Sequence, residues 1–308
     1  MSNETSESGF LLLEFSEVRQ QQMLYFIAFL MLYMVILSEN LLIISAIATD
    51  HHLHTPMYFF LMNLAMQDVG SVSVIIPISL FNSLMNTRHI SYSGCVAQVF
   101  MFIFFLGSDF ALLIVMAYDR YIAICNPLHY EMVMNKPACI QMIASVWISG
   151  LLYGALHTSS TFAAPFCSNV VNQFFCEIPQ LLKLTCSDLY LVELGVLVLS
   201  TLLGLGCFIF IIVTYVHIFT AVLRIPTVQG KQKAFSTCLP HLTVFSTYVF
   251  TGYFAYLRQP SNTPSYSDLA FTMIYSMVPP LLNPVIYSMR NKEMKNALQR
   301  LFYLRGFF

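Results

Sequence analysis

The chain has 308 residues, of which 57% are hydrophobic and only 9% charged, with a mean hydropathy of +0.71. Soluble domains carry about 25% charged residues, so a soluble globular protein is excluded. A formal net charge of -1 leaves no case for a nucleic-acid partner.

Residues 1–22 are polar and acidic, with no short apolar core ahead of a cleavage site. No cleaved signal peptide is expected, and the first apolar stretch should serve as the anchor. Asn3-Glu4-Thr5 is the chain's only N-glycosylation sequon, which fits an extracellular N-terminus. A bilayer-crossing helix needs about 20 mainly apolar residues. Seven stretches qualify: 23–49, 56–84, 95–125, 138–162, 190–223, 233–257 and 268–289. Thr55-Pro56 is a good helix start, with Thr as cap and Pro at the first position. After residue 290, Met294, Leu298, Leu301 and Phe302 alternate with Lys292, Lys295 and Arg300, the pattern of an interfacial amphipathic helix. The expected fold is an all-α membrane protein. It has an outer segment 1–22, a seven-helix bundle 23–289, and a cytoplasmic helix and tail 290–308. No repeat or second domain is visible.

Orientation follows the basic residues. With the N-terminus outside, Arg120, Lys136, Arg224, Lys231, Lys233, Arg290, Lys292, Lys295, Arg300 and Arg305 are cytoplasmic. Arg19, Arg88, Lys183 and Arg258 are outside. Of the eight cysteines, Cys95, Cys167, Cys176 and Cys186 then fall outside, where disulfides persist. Cys125, Cys139 and Cys238 fall near the cytoplasm and Cys207 within a span. Four outer cysteines allow three pairings.

Asp119-Arg120 closes the third apolar stretch. A charged pair is too costly for the hydrocarbon centre, so it should sit at an interface or face other helices. An Arg there can hold one partner at rest and another when active, the minimum for a switch. Asp68 and Asp109 are acids within the second and third stretches. Their plain role is hydrogen bonding inside the bundle. The functional alternative is a sodium ion held by hard oxygens, with Asn40, Asn283 or water adding to the set. Helices rise about 1.5 Å per residue, which places Phe102, Ile103 and Leu106 two to three turns below Cys95. Leu199, Leu203, Gly252, Tyr253, Tyr256, Met273 and Ser276 should reach a similar depth. No Lys or Asp occupies the upper third stretch, so a small, mostly apolar ligand with one hydrogen-bonding group fits better than a cationic amine.

Met116-Ala117-Tyr118-Asp119-Arg120-Tyr121-Ile122-Ala123-Ile124-Cys125 closely resembles the third-helix end of the odorant receptors, a branch of the rhodopsin-like G-protein-coupled receptors. Leu53-His54-Thr55-Pro56-Met57-Tyr58-Phe59-Phe60-Leu61 resembles their first inner loop, in its terrestrial-vertebrate form. Ile90-Ser91-Tyr92-Ser93-Gly94-Cys95, Lys233-Ala234-Phe235-Ser236-Thr237-Cys238 with His241-Leu242, and Pro280-Leu281-Leu282-Asn283-Pro284-Val285-Ile286-Tyr287 follow in the family's order. The resemblance spans nearly the whole chain. It implies Cys95–Cys176 and Cys167–Cys186 pairing, and Tyr215 and Tyr287 as active-state partners of Arg120. It also implies a surface of Arg120, the inner loops and Lys233 that meets a stimulatory, olfactory-type G protein to raise cyclic AMP. The implied partners are a volatile odorant, that G protein and membrane lipid; the implied place is the plasma membrane, and no enzymatic activity or cofactor is expected. Glu39, Pro240 and Val249 depart from the family, which has Gly, Ser and Tyr there. A retinal protein needs a Lys in 268–289, and none is present. A transporter would show internal repeats or paired broken helices. An intramembrane hydrolase would need a base beside Ser108-Asp109, and that span has no His.

Overall fold

The computed structural model describes residues 9–13, 18–257, 266–290 and 292–304; the side chains of 233, 237, 253–257, 266–270, 288–290, 292 and 302–304 lie outside the description. The expected glycosylation site Asn3 and the side chains of Lys233, Tyr253 and Tyr256 therefore fall outside the described residues. Among the described residues seven helices have 25 residues or more. They are α1 (Arg19–Thr49), α2 (Pro56–Met85), α3 (Tyr92–Cys125), α4 (Lys136–Phe162), α5 (Tyr190–Arg224), α6 (Val228–Leu257) and α7 (Tyr266–Arg290), followed by a shorter α8 (Lys292–Leu304). The first five are each long and apolar enough to cross a membrane.

Several helices extend past the stretches read from composition. α1 starts at Arg19 rather than 23, α3 at Tyr92 rather than 95, and α6 at Val228 rather than 233. Apolar content marks only what hydrocarbon must cover, whereas backbone hydrogen bonding continues into the polar interface. Side-chain caps fix the starts of α3 and α4. Ser91 Oγ accepts from Gly94 N at 3.1 Å, and Asn135 Oδ1 accepts from Ala138 N at 2.9 Å, each satisfying an orphan first-turn donor. Pro56 opens α2 at its first position, although Thr55 makes no side-chain cap bond.

α3 runs through the centre and touches α2, α4, α5 and α6. Its approach to α4 depends on two glycines. A Cβ at Gly150 would lie 1.9 Å from Ser108 Oγ, and one at Gly154 would lie 3.0 Å from the Phe100 carbonyl. Small residues let membrane helices come close enough to gain dispersion contacts where no hydrophobic drive exists between them. One apolar cluster, around Leu112, Met116 and Phe245, fills the Arg120 end of the bundle. A second, around Ile75, Phe102 and Phe175, fills the other end.

That second end is tied covalently. Cys95 of α3 bonds Cys176, and Cys167 bonds Cys186. Strand β1 (Phe10–Leu11) pairs antiparallel with β2 (His89–Ile90). Its other edge meets the same loop: Leu11 N donates to Asn169 O and Val171 N to Leu11 O, both at 2.8 Å. At the opposite end α8 buries Met294, Ala297 and Leu301 against protein. Arg300 pairs with Asp50 at 2.7 Å, and Tyr58 donates to Glu293 at 2.8 Å. The amphipathic face of α8 is thus partly spent on the bundle itself.

Candidate functional site

At the α8 end, α2, α3, α6 and α7 surround a narrow cleft lined by Tyr58, Asp119, Arg120, Pro240, His241 and Tyr287 among others. The Arg120 guanidinium turns back on its own helix: Nε donates to Asp119 Oδ2 at 2.9 Å, and Nη2 bonds the same oxygen. The other carboxylate oxygen accepts from Tyr130 at 2.8 Å. Burial and the neighbouring Asp119 carboxylate raise the Tyr130 phenol above its usual range, so it stays a donor. Asp119 is 1% exposed. A carboxylate so enclosed needs both partners, and Arg120 and Tyr130 supply them.

Tyr215, expected as a partner of Arg120, is engaged elsewhere. Its hydroxyl lies 2.6 Å from His241 Nδ1, and His241 Nε2 lies 3.0 Å from the Leu113 carbonyl. A carbonyl only accepts, so Nε2 carries the proton and Nδ1 accepts from Tyr215. The neutral imidazole thereby joins α3, α5 and α6 just beside Arg120. The sequence showed His241 only as part of a motif; an imidazole inside an apolar span was the signal that it holds something. The Tyr287 hydroxyl is buried with no hydrogen-bond partner among the described residues and borders the same cleft. Pro240, inside α6, also borders it.

Deeper in the bundle, Asn283 Nδ2 donates to both oxygens of Asp68, at 3.2 and 3.0 Å. Asn40 Nδ2 donates to the carbonyls of Ile36 and Pro280 at 2.9 and 3.1 Å. Asp109 Oδ1 and Asn40 Oδ1 are buried with no partner among the described residues. Unpaired carboxylate and amide oxygens are of the donor type a hard cation takes. No group of three or more His, Cys, Asp or Glu side chains is placed to hold a metal among the described residues.

Toward the disulfide end, Phe102 packs on Phe175 and Tyr275, with ring centroids at 5.4 and 6.1 Å. Ile103 is buried in the same cluster, with Leu106 and Met273 packed against it. The Leu106 carbonyl accepts from Tyr248, the neighbour of the family-divergent Val249. Ser276 is bonded to its own helix through Thr272 O at 2.7 Å. A side chain at Gly252 would meet nothing within 4 Å. Two expected ligand contacts are corrected. Leu199 and Leu203 are 55% and 64% exposed, on the side of α5 turned away from the bundle. Both sit one position before the inward face, and helix periodicity carries that one-residue error to the lipid side. Sequence reading missed Phe175, Tyr275 and Glu177, where Tyr275 donates to Glu177 at 2.5 Å. Phe175 and Glu177 lie on a loop brought in by a disulfide, which leaves no periodic signal.

Packed long helices, with the buried Asp119–Arg120 pair at one end and a disulfide-laced loop at the other, make the described residues a seven-helix membrane bundle. Residues 29–305 match the olfactory receptor family. Human olfactory receptor 14C36 is 47% identical over 308 residues, covering 98% of this chain and 99% of that protein. Human olfactory receptor 14I1 is 48% identical, covering 98% and 97%. Olfactory receptor 1G1 of Gorilla gorilla gorilla is 44% identical, with the same coverage. The chain belongs to the olfactory receptor family.

Proposed function

We propose that this receptor binds a small, mostly apolar volatile molecule among α3, α5, α6 and α7, beneath the loop held by Cys95–Cys176, and activates a stimulatory G protein that raises cyclic AMP. The observation that carries this is the Arg120 cleft. Arg120 is held by Asp119, Tyr215 is held by His241, and Tyr287 is free among the described residues. An outward swing of α6 pulls His241 from Tyr215 and Leu113. Tyr215 and Tyr287 then become available to Arg120, and the cleft opens to the G protein. The odorant shifts that equilibrium only by its difference in affinity for the two states. The N-terminus is extracellular: the basic residues gather at the α8 end, and the disulfides lie at the other. Asp68 and Asp109, with Asn40, Asn283 or water, hold a sodium ion that favours the resting packing. The test is a cyclic-AMP assay in cells exposed to a volatile panel, run beside an ion-flux assay. A volatile-driven cyclic-AMP rise supports the reading; a flux without it rejects it.

A further inference from the structure

The outer half of α5 has little to hold it. Between Glu193 and Ile211 no residue of α5 is buried, while Glu193 and Ile211 themselves are 0% exposed. In lipid, a leucine gains nothing by turning inward, because hydrocarbon surrounds it either way. The apolar residues of this segment therefore cannot choose its rotation. A polar group can, since a buried carboxylate without partners is costly. Glu193 has a full set. His157 Nδ1 lies 2.7 Å from Glu193 Oε1, and Ser160 Oγ donates to Oε2. His157 Nε2 lies 3.0 Å from Ser200 Oγ, two turns further along α5. The Tyr153 ring stands edge-on to the imidazole at 4.4 Å. His157 is itself 1% exposed.

We infer that the His157–Glu193 clasp, with Ser160 and Ser200, sets the rotational phase of the outer half of α5 and so decides which of its residues face the odorant chamber. The inference rests on the proposed reading only in naming α5 as a wall of that chamber. At about 100° per residue, Ser200, Gly204, Cys207 and Ile211 all fall within about 40° of Glu193, whereas Leu199 and Leu203 lie about 120° and 80° away. The exposures of these two leucines, 55% and 64%, follow that phase. The chamber-facing strip is then small and weakly polar. At Gly204 a Cβ would meet nothing within 4 Å. His157 and Glu193 are positioning residues that need not touch the ligand.

The phase can be read without any odorant. Full-length receptor carrying Leu203→Trp or Cys207→Trp is placed in bilayers with bromine-labelled acyl chains. The single native tryptophan, Trp147, is subtracted as a constant background. Bromine quenches a lipid-facing indole and spares one turned to protein. With the clasp intact, quenching at 203 exceeds that at 207. In Glu193→Ala the ratio falls toward equality among folded receptors, in Glu193→Gln it is retained, and in His157→Glu with Glu193→His it is restored. A ratio unchanged in Glu193→Ala, or a swap that behaves like the single alanine variant, overturns the clasp and leaves α5 fixed by its inner half alone. If Glu193→Ala does not fold, Ser160→Ala with Ser200→Ala takes its place with the same expected fall. Failure of the clasp would leave odorant-driven cyclic AMP untouched, so the two readings fail separately.

Discussion

Breaking the outer disulfides one at a time should produce a graded loss of folded receptor. Cys95 and Cys176 are 81 residues apart in sequence and 0% exposed; Cys167 and Cys186 are 19 apart and exposed. In the chain-entropy picture the longer loop is worth about 4.5 kcal/mol and the shorter about 3.2 kcal/mol. The difference, about 1.3 kcal/mol, is close to tenfold in the folded-to-unfolded ratio. Burial widens the gap, because a serine hydroxyl at 95 or 176 is stranded inside the cluster of Phe102 and Phe175, costing about 1–3 kcal/mol more. Cys95→Ser and Cys176→Ser should therefore nearly abolish surface receptor, and the double variant should be no worse than either alone. Cys167→Ser and Cys186→Ser should retain a measurable fraction. The assay is antibody staining of an N-terminal tag on intact cells, with thermal midpoints of purified receptor beside it. Wild-type staining in both buried-pair variants, or a reversed order between the pairs, would refute the reasoning.

Arg120→Ala should abolish odorant-driven cyclic AMP while leaving surface staining measurable; normal signalling per surface receptor would remove Arg120 from the switch. Added sodium should lower odorant potency or basal activity, and Asp68→Asn and Asp109→Asn should each remove that dependence. An unchanged sodium response in both variants leaves the two acids a structural role only. Pro240 sits where the family has Ser and lacks the N–H that would bond the Ser236 carbonyl. Pro240→Ser should restore that backbone bond and lower basal cyclic AMP at matched surface level, and equal basal activity would mean that Pro240 does not bias the two states.

Composition alone determined that this chain is a membrane helix bundle. Twenty-residue apolar stretches have no other stable place, and their backbone polar groups must be satisfied within each helix. Motif chemistry found the Asp119–Arg120 pair and the acids Asp68 and Asp109, because charge inside an apolar stretch is too costly to be incidental. Tertiary structure decided what each of these groups touches. Tyr215 binds His241 in this state rather than Arg120, and no sequence spacing could choose between those partners. Glu177 and Phe175 reach Tyr275 and Phe102 on a loop that only the Cys95–Cys176 bond carries there. Leu199 and Leu203 were misplaced for a reason specific to membranes. A soluble helix shows its inward face as an apolar stripe, whereas a helix bathed in lipid is apolar all round. On α5 the inward face was marked by a single carboxylate, Glu193, and its meaning depended on His157 of another helix lying opposite.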